Sequence, residues 1–297
     1  MAKAAANGIQ IEYETTGDPR DRPLLLIIGL ADQLIHWDDA LCEDLAACGH
    51  YVIRFDNRDS GLSTTCDGPS SAPVHRGQKA PPPYTLDDMA DDAIDLLDAL
   101  GIARAHLCGA SMGGMIAQCA AIHHPSRVLS LTSVYSTTGN RSLPPPDPEV
   151  MDLLLTPAPL DREGYVEYMV LFIRMTTGSG FAFDEAYARL ISQRAYDRSF
   201  RPEGTARQMR AIATQIDRRQ ALASLSVPTL VVQGTDDPLV SVEAGRDLSD
   251  AIPGARLMLI EGMGHDLAHG GAWPAIIEAV ATHTLHAQPG CGHGGLS

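Results

Sequence analysis

Residues 105–114 read Ala105-His106-Leu107-Cys108-Gly109-Ala110-Ser111-Met112-Gly113-Gly114. The first four residues form a short strand-like run, and residues 112–123 carry helical spacing that stops at Pro125. A G-x-S-x-G sequence between a strand and a helix is the context in which that motif has chemical meaning. The glycines leave room for a sharp turn, and the turn lifts the serine hydroxyl above the sheet. The next amide then falls at a helix N-terminus, where a positive potential and a free N–H can stabilise an oxyanion. A glycine-rich turn with an incidental serine would look the same in isolation, so the rest of the chain has to decide. A phosphate loop does not fit, because Met115 stands where its lysine must be, and the dinucleotide pattern G-x-G-x-x-G is absent from this stretch.

Outward from this motif, strand and helix signals alternate. Strand patterns cover residues 9–15, 24–28, 51–55, 128–134, 229–232 and 256–260. Helical patterns cover 37–48, 85–101, 242–251 and 275–286, with Thr85 and Asp88 set as an approximate capping box. Such alternation predicts an α/β fold, with a mostly parallel central sheet covered by helices on both faces. Two stretches break the rhythm. Residues 64–84 are rich in proline and glycine and read as a surface loop. Residues 140–215 carry no strand signal, only helical segments at 149–155, 165–175, 184–196 and 205–216. The expected organisation is therefore a core of residues 1–139 and 216–286, a helical cap of residues 140–215, and a mobile glycine-rich tail at 287–297.

A serine nucleophile needs a base, and the base needs an orienting acid. The strand at 229–232 runs into Gly234-Thr235-Asp236-Asp237-Pro238, and the strand at 256–260 into Gly262-Met263-Gly264-His265. Strands of one parallel sheet that end in an acid and a histidine put both on the edge that carries the serine. The chain order is Ser111, aspartate, His265. On chemistry alone, Asp236 and Asp237 remain equal candidates for the acid.

With these residues in place, the chain resembles the α/β-hydrolase fold serine hydrolases over essentially its whole length. Arg54-Phe55-Asp56-Asn57-Arg58-Asp59-Ser60-Gly61-Leu62-Ser63 resembles that family's R-x-D-x-R-x-x-G-x-S loop, read here as a shaped turn with no chemistry. This loop and Gly262-Met263-Gly264-His265 are similar to the aclacinomycin methylesterase and macrolide esterase group. The resemblance implies that Asp237 is the acid, through G-x-x-D. Because residues 140–215 precede the strand bearing Asp237, they are expected to lie over the three residues as a cap. The resemblance also implies an oxyanion hole from the backbone N–H groups of Leu30 and Met112. Many relatives have His-Gly where this chain has Ile28-Gly29. A serine nucleophile sets the chain apart from relatives that use an aspartate.

The expected activity is hydrolysis of a rather apolar ester or lactone, such as a polyketide or macrolide, through an acyl-enzyme. Met169, Phe172, Ile173, Met175, Phe181 and Phe183 are the cap residues from which a substrate pocket would draw one or two, and Trp37 is a further wall candidate. Thioester, amide or C–C cleavage, perhydrolysis, and a slow-turnover binding protein are the competing readings.

Composition narrows the partners. Against 22 basic residues stand 37 acidic ones, a formal net charge of −15, which repels nucleic acid and anionic membrane surfaces. No run approaches the ~20 apolar residues of a spanning helix, and no leader-like segment precedes the first strand. Six cysteines without a CxxC pair suit a reduced, cytoplasmic chain. No cofactor or metal is expected. His265 and His269 have an i, i+4 spacing but lack the H-E-x-x-H glutamate. His123-His124, and His283 with His286, read as solvated helix ends, and the acid-rich run 87–98 as a solvated helix face.

Overall fold

The computed structural model describes residues 2–67, 82–266 and 271–287. Most of the proline-rich loop, His269, Cys291 and the tail beyond Ala287 lie outside them. The chain folds in the order β1 (Ala2–Ala6), β2 (Ile9–Thr16), β3 (Arg22–Ile27), α1 (Asp39–Ala47), β4 (His50–Phe55), α2 (Leu86–Ala99), β5 (Ala105–Ala110), α3 (Met112–His123) and β6 (Val128–Val134). Five helices follow: α4 (Pro148–Leu155), α5 (Arg162–Thr176), α6 (Glu185–Arg198), α7 (Pro202–Thr214) and α8 (Arg219–Leu222). The chain then returns to β7 (Thr229–Gly234), α9 (Val242–Ala251), β8 (Arg256–Ile260) and α10 (Trp273–His286).

The eight strands form one sheet in the order β1-β2-β4-β3-β5-β6-β7-β8. The pairs β1/β2 and β2/β4 are antiparallel and every other pair is parallel. Alternate residues of β3 serve opposite faces. Leu25 and Ile27 pack with α2, α3 and α9, whereas Leu24 and Leu26 pack with α1 and α10. Both faces are covered, so the central strands are buried throughout. The Thr85–Asp88 capping box forms, satisfying the first donors of α2.

Strand β1 is a departure from the sequence reading. Its composition, Ala-Lys-Ala-Ala-Ala, has low strand propensity. It is held by a hairpin at Asn7-Gly8, where φ is 45° and 75°, the left-handed pair of a tight two-residue turn. Register then sets the stage for chemistry. Ile27 pairs with Gly109, Ala110 with Val134, Val134 with Val232, and Gly234 with Ile260. Five parallel strands therefore end flush, and the loops that follow them share one edge.

Candidate active site

At that edge, β5 turns into α3 through Ser111, which has φ 55° and ψ −119°. This backbone conformation is strained for a residue with a Cβ and persists only where the surroundings fix it. The surroundings do so closely. A Cβ at Gly109 would lie 2.1 Å from the Gly113 carbonyl oxygen, and one at Gly113 would lie 1.9 Å from that of Ile27. The Ser111 N–H donates to Val134 O (3.0 Å), and its own carbonyl accepts from Gly114 N–H (2.9 Å) and the Ser136 hydroxyl (2.8 Å). Only the side chain is left free to project.

The Ser111 hydroxyl lies 2.9 Å from His265 Nε2, and His265 Nδ1 lies 2.8 Å from Asp237 Oδ2. With the proton on Nδ1, Nε2 presents a lone pair to the hydroxyl. The Asp237 carboxylate is fully buried yet well satisfied. Its Oδ1 accepts from Leu239 N–H and Val240 N–H, both at 2.8 Å, and Gln233 Nε2 donates to Oδ2 at 3.3 Å. These bonds fix the oxygen that meets the imidazole. Asp236 points elsewhere: it is exposed and bonds the hydroxyl and N–H of Ser179 in the loop after α5. Those bonds hold its carboxyl below the usual range. Geometry thus separates two neighbours that composition could not. The insert also reaches the histidine, since His265 N–H donates to Thr176 O at the end of α5 (2.8 Å).

Met112 is the first residue of α3, so its N–H belongs to the turn of donors that a helix leaves unpaired. The loop after β3 runs alongside: a Cβ at Gly29 would sit 3.4 Å from Ser111 Cβ. Leu30 follows, partly buried against the core. Ile28 presents an apolar wall to the cavity.

A cavity of about 160 Å³ opens on His265 beneath α5 and α6. Met169, Phe172 and Ile173 of α5 line it, as does Phe183, while Phe181 packs against Gly271. Trp37 does not line it. That residue is 2% exposed and lies in the core between the sheet and α1. The helical pattern drawn from residue 37 in fact starts at Asp39. A tight turn at Leu34–His36 precedes it and swings the indole inward. The cavity is also more polar than the apolar cap residues implied, with Asp32, His36, Thr176, Thr177 and Asp266 on its wall.

Tyr135 is a site residue that the sequence reading missed. It follows β6 directly, with φ 37°, and its ring centroid lies 4.6 Å from that of His265. It is 6% exposed, lines the cavity, and burial pushes its hydroxyl pKa well up, so it stays a neutral donor. The available signal was positional: it is the first residue past the strand beside the serine strand. Among the described residues, no cluster of three metal-ligating side chains occurs.

A mainly parallel sheet with a strained serine at its edge, hydrogen-bonded through histidine to aspartate, defines a hydrolase architecture. Residues 22–272 match the alpha/beta hydrolase fold family, and the chain belongs to it. Rhodomycin D methylesterase DauP of Streptomyces sp. (strain C5) is 34% identical, over 91% of this chain and 93% of its own. Among solved structures, the esterase RhEst1 from Rhodococcus sp. ECU1013 superposes with a TM-score of 0.77 at 23% identity, covering 97% of this chain and 99% of that one. The enol-lactonase from Burkholderia xenovorans LB400 gives 0.74 at 23% identity, covering 96% and 100%. At that identity the two structures share the fold. No helix among the described residues is long and apolar enough to cross a membrane.

Proposed function

We propose that this ester hydrolase of the alpha/beta fold is a serine carboxylesterase that works through an acyl-enzyme, and that its substrate is the methyl ester of a rhodomycin-type polyketide. The observation that carries the chemistry is the unbroken chain Ser111 Oγ–His265–Asp237 at the sheet edge. His265 Nε2 takes the hydroxyl proton as Ser111 attacks the ester carbonyl. The backbone N–H groups of Leu30 and Met112 receive the oxyanion. His265 then gives its proton to the departing methoxide oxygen, releasing methanol, and activates the water that hydrolyses the acyl-enzyme to the acid. Asp237 holds the imidazole in the required tautomer and balances its transient charge.

The substrate reading rests on the methylesterase relatives and on the shape of the cavity. Sites that enclose a drug-sized ligand run to ~300–1,000 Å³. A cavity of about 160 Å³ suits the ester end, with the rest of the substrate at the mouth between the helices of the insert. In this scheme residues 140–215 act as the cap over a core of residues 1–139 and 216–286. Five described cysteines without disulfides support a cytoplasmic setting.

The test pairs the wild-type protein with Ser111→Ala on rhodomycin D, p-nitrophenyl acetate and a macrolide lactone. Methanol release from rhodomycin D, lost by at least a thousandfold in the variant, is the expected result. Turnover that survives Ser111→Ala overturns the mechanism. Hydrolysis restricted to the nitrophenyl ester overturns the polyketide assignment, and macrolide cleavage without methanol release replaces it.

A further inference from the structure

The segment Arg54-Phe55-Asp56-Asn57-Arg58-Asp59-Ser60-Gly61-Leu62-Ser63 takes no part in the proton transfers above, yet it is almost entirely buried. Three of its side chains are turned onto the oxyanion loop. Asn57 Nδ2 donates to Ile28 O (3.0 Å), Ser60 Oγ donates to Asp32 O (2.5 Å), and Asp56 Oδ1 accepts from Leu34 N–H (2.7 Å). These bonds grip residues 28, 32 and 34, leaving Leu30 and Ala31 between the anchors. Ala31 is the strained point of the loop, with φ 64°. A residue with a Cβ holds that left-handed conformation only under external constraint.

The constraint comes from the insert. The Ala31 N–H donates to Gln208 Oε1 at 2.9 Å, and Gln208 Nε2 donates to Arg58 O at 2.8 Å. Gln208 is wholly buried on α7, so both ends of its amide are committed and neither competes with water. The helix itself is pinned to the same turn. Arg207 makes two bonds of 2.8 Å to the Asp59 carboxylate, and a Cβ at Gly204 would lie 2.1 Å from Asp59 O. One amide thus ties the strained residue of the oxyanion loop to the turn that anchors the rest of that loop.

We propose that Gln208 is a positioning residue for the oxyanion hole: it fixes Ala31 in the left-handed conformation and thereby sets the direction of the neighbouring Leu30 N–H. The inference rests on the proposed role of Leu30 as an oxyanion donor. Its consequence is that the donor is set only while α7 is seated on the Asp59 turn.

The test uses p-nitrophenyl acetate as substrate and an aryl trifluoromethyl ketone as a probe, because the ketone adds to Ser111 and places an oxyanion in the same hole. Gln208→Leu is expected to lower kcat by about ten- to a hundredfold, the scale of a catalytic group displaced by about an ångström. KM should stay within about twofold of wild type, and ketone affinity should fall in proportion to kcat/KM. Gln208→Glu keeps the length and the acceptor for Ala31 N–H but, as a carboxylate, cannot donate to Arg58 O, and should recover only part of kcat. If Gln208→Leu does not fold, Gln208→Asn, whose amide is drawn back from both partners, is read in the same way. A folded variant with wild-type kcat and wild-type ketone affinity overturns the role of Gln208. If Ser111→Ala retains turnover in the same assay, it is the serine mechanism that fails instead.

Discussion

Histidines are buried at both ends of the central sheet, and their partners differ in kind. At the amino ends of the strands, His50 bonds Leu45 O (2.8 Å) and the Thr284 hydroxyl (2.7 Å). His106 bonds the Ser130 hydroxyl (2.8 Å), and His283 bonds Leu131 O (3.2 Å). All these partners are neutral. Burial pushes the pKa of each of the three down, that of His106 to about 3, so they serve as uncharged polar plugs in the core. At the carboxyl ends, His265 has a buried carboxylate behind it and a hydroxyl in front. The contrast teaches that burial alone makes a histidine inert. In the proposed mechanism, the Asp237 carboxylate behind His265 is what would balance a transient imidazolium.

The largest expected effect falls on the carboxyl end. Asp237→Asn should lower kcat by roughly 10³–10⁴-fold with an unchanged circular dichroism spectrum, because the wrong tautomer is then favoured. A loss under tenfold would erase the distinction between the two ends.

His106→Ala should do the reverse: it should leave kcat intact and lower the unfolding free energy by about 2–3 kcal/mol in urea titrations, through the cavity and the stranded Ser130 hydroxyl. A large fall in kcat without loss of stability would break the comparison from the other side.

Acid should sharpen the contrast further. The native amino-end histidines have depressed pKa values, whereas in the unfolded chain they titrate near 6.5. Below 6.5 the unfolded state therefore binds more protons, and stability falls with pH down toward about 3, where native His106 protonates. Urea midpoints measured from pH 7 to 4 should show this slope, and it should be shallower in His106→Ala. An unchanged slope would remove His106 from the explanation.

The smallest effect belongs to Asp236→Asn, whose carboxylate only bonds Ser179 and Thr235 at the surface. Less than a threefold change in kcat is expected, which separates it from its neighbour Asp237.

What could be read in advance was local. The elbow at Gly109–Gly114, the strand-end sequences at Asp237 and His265, and the Thr85 cap each sit within a few residues of the structure they specify. The errors lie where distant segments decide. Asp92, in an acid-rich run that reads as solvated, is buried 2.6 Å from Arg58, a partner 34 residues earlier in the chain. His283 reads as a helix-end histidine but lies under the sheet beside Leu131. Trp37 faces the core because the chain turns before α1, and nothing in its own neighbourhood states the direction of that turn. Tyr135 and Gln208 acquire meaning only through strand register and the docking of α7.

The Thr176 carbonyl that accepts the His265 N–H belongs to the insert, not to the sheet. So do the Ala195 and Ser199 carbonyls that hold Gln33 of the oxyanion loop (2.7 and 2.8 Å). Proteins open in parts, and a layer of surface helices opens at lower cost than a buried parallel sheet. Warming is therefore expected to act in two stages: the insert loosens and the alignment of His265 is lost, while the strands that carry Ser111 and Asp237 are still folded. Heat inactivation should then run ahead of melting, and cooling should restore activity for as long as the sheet has held, which activity and circular dichroism followed on one temperature ramp would check.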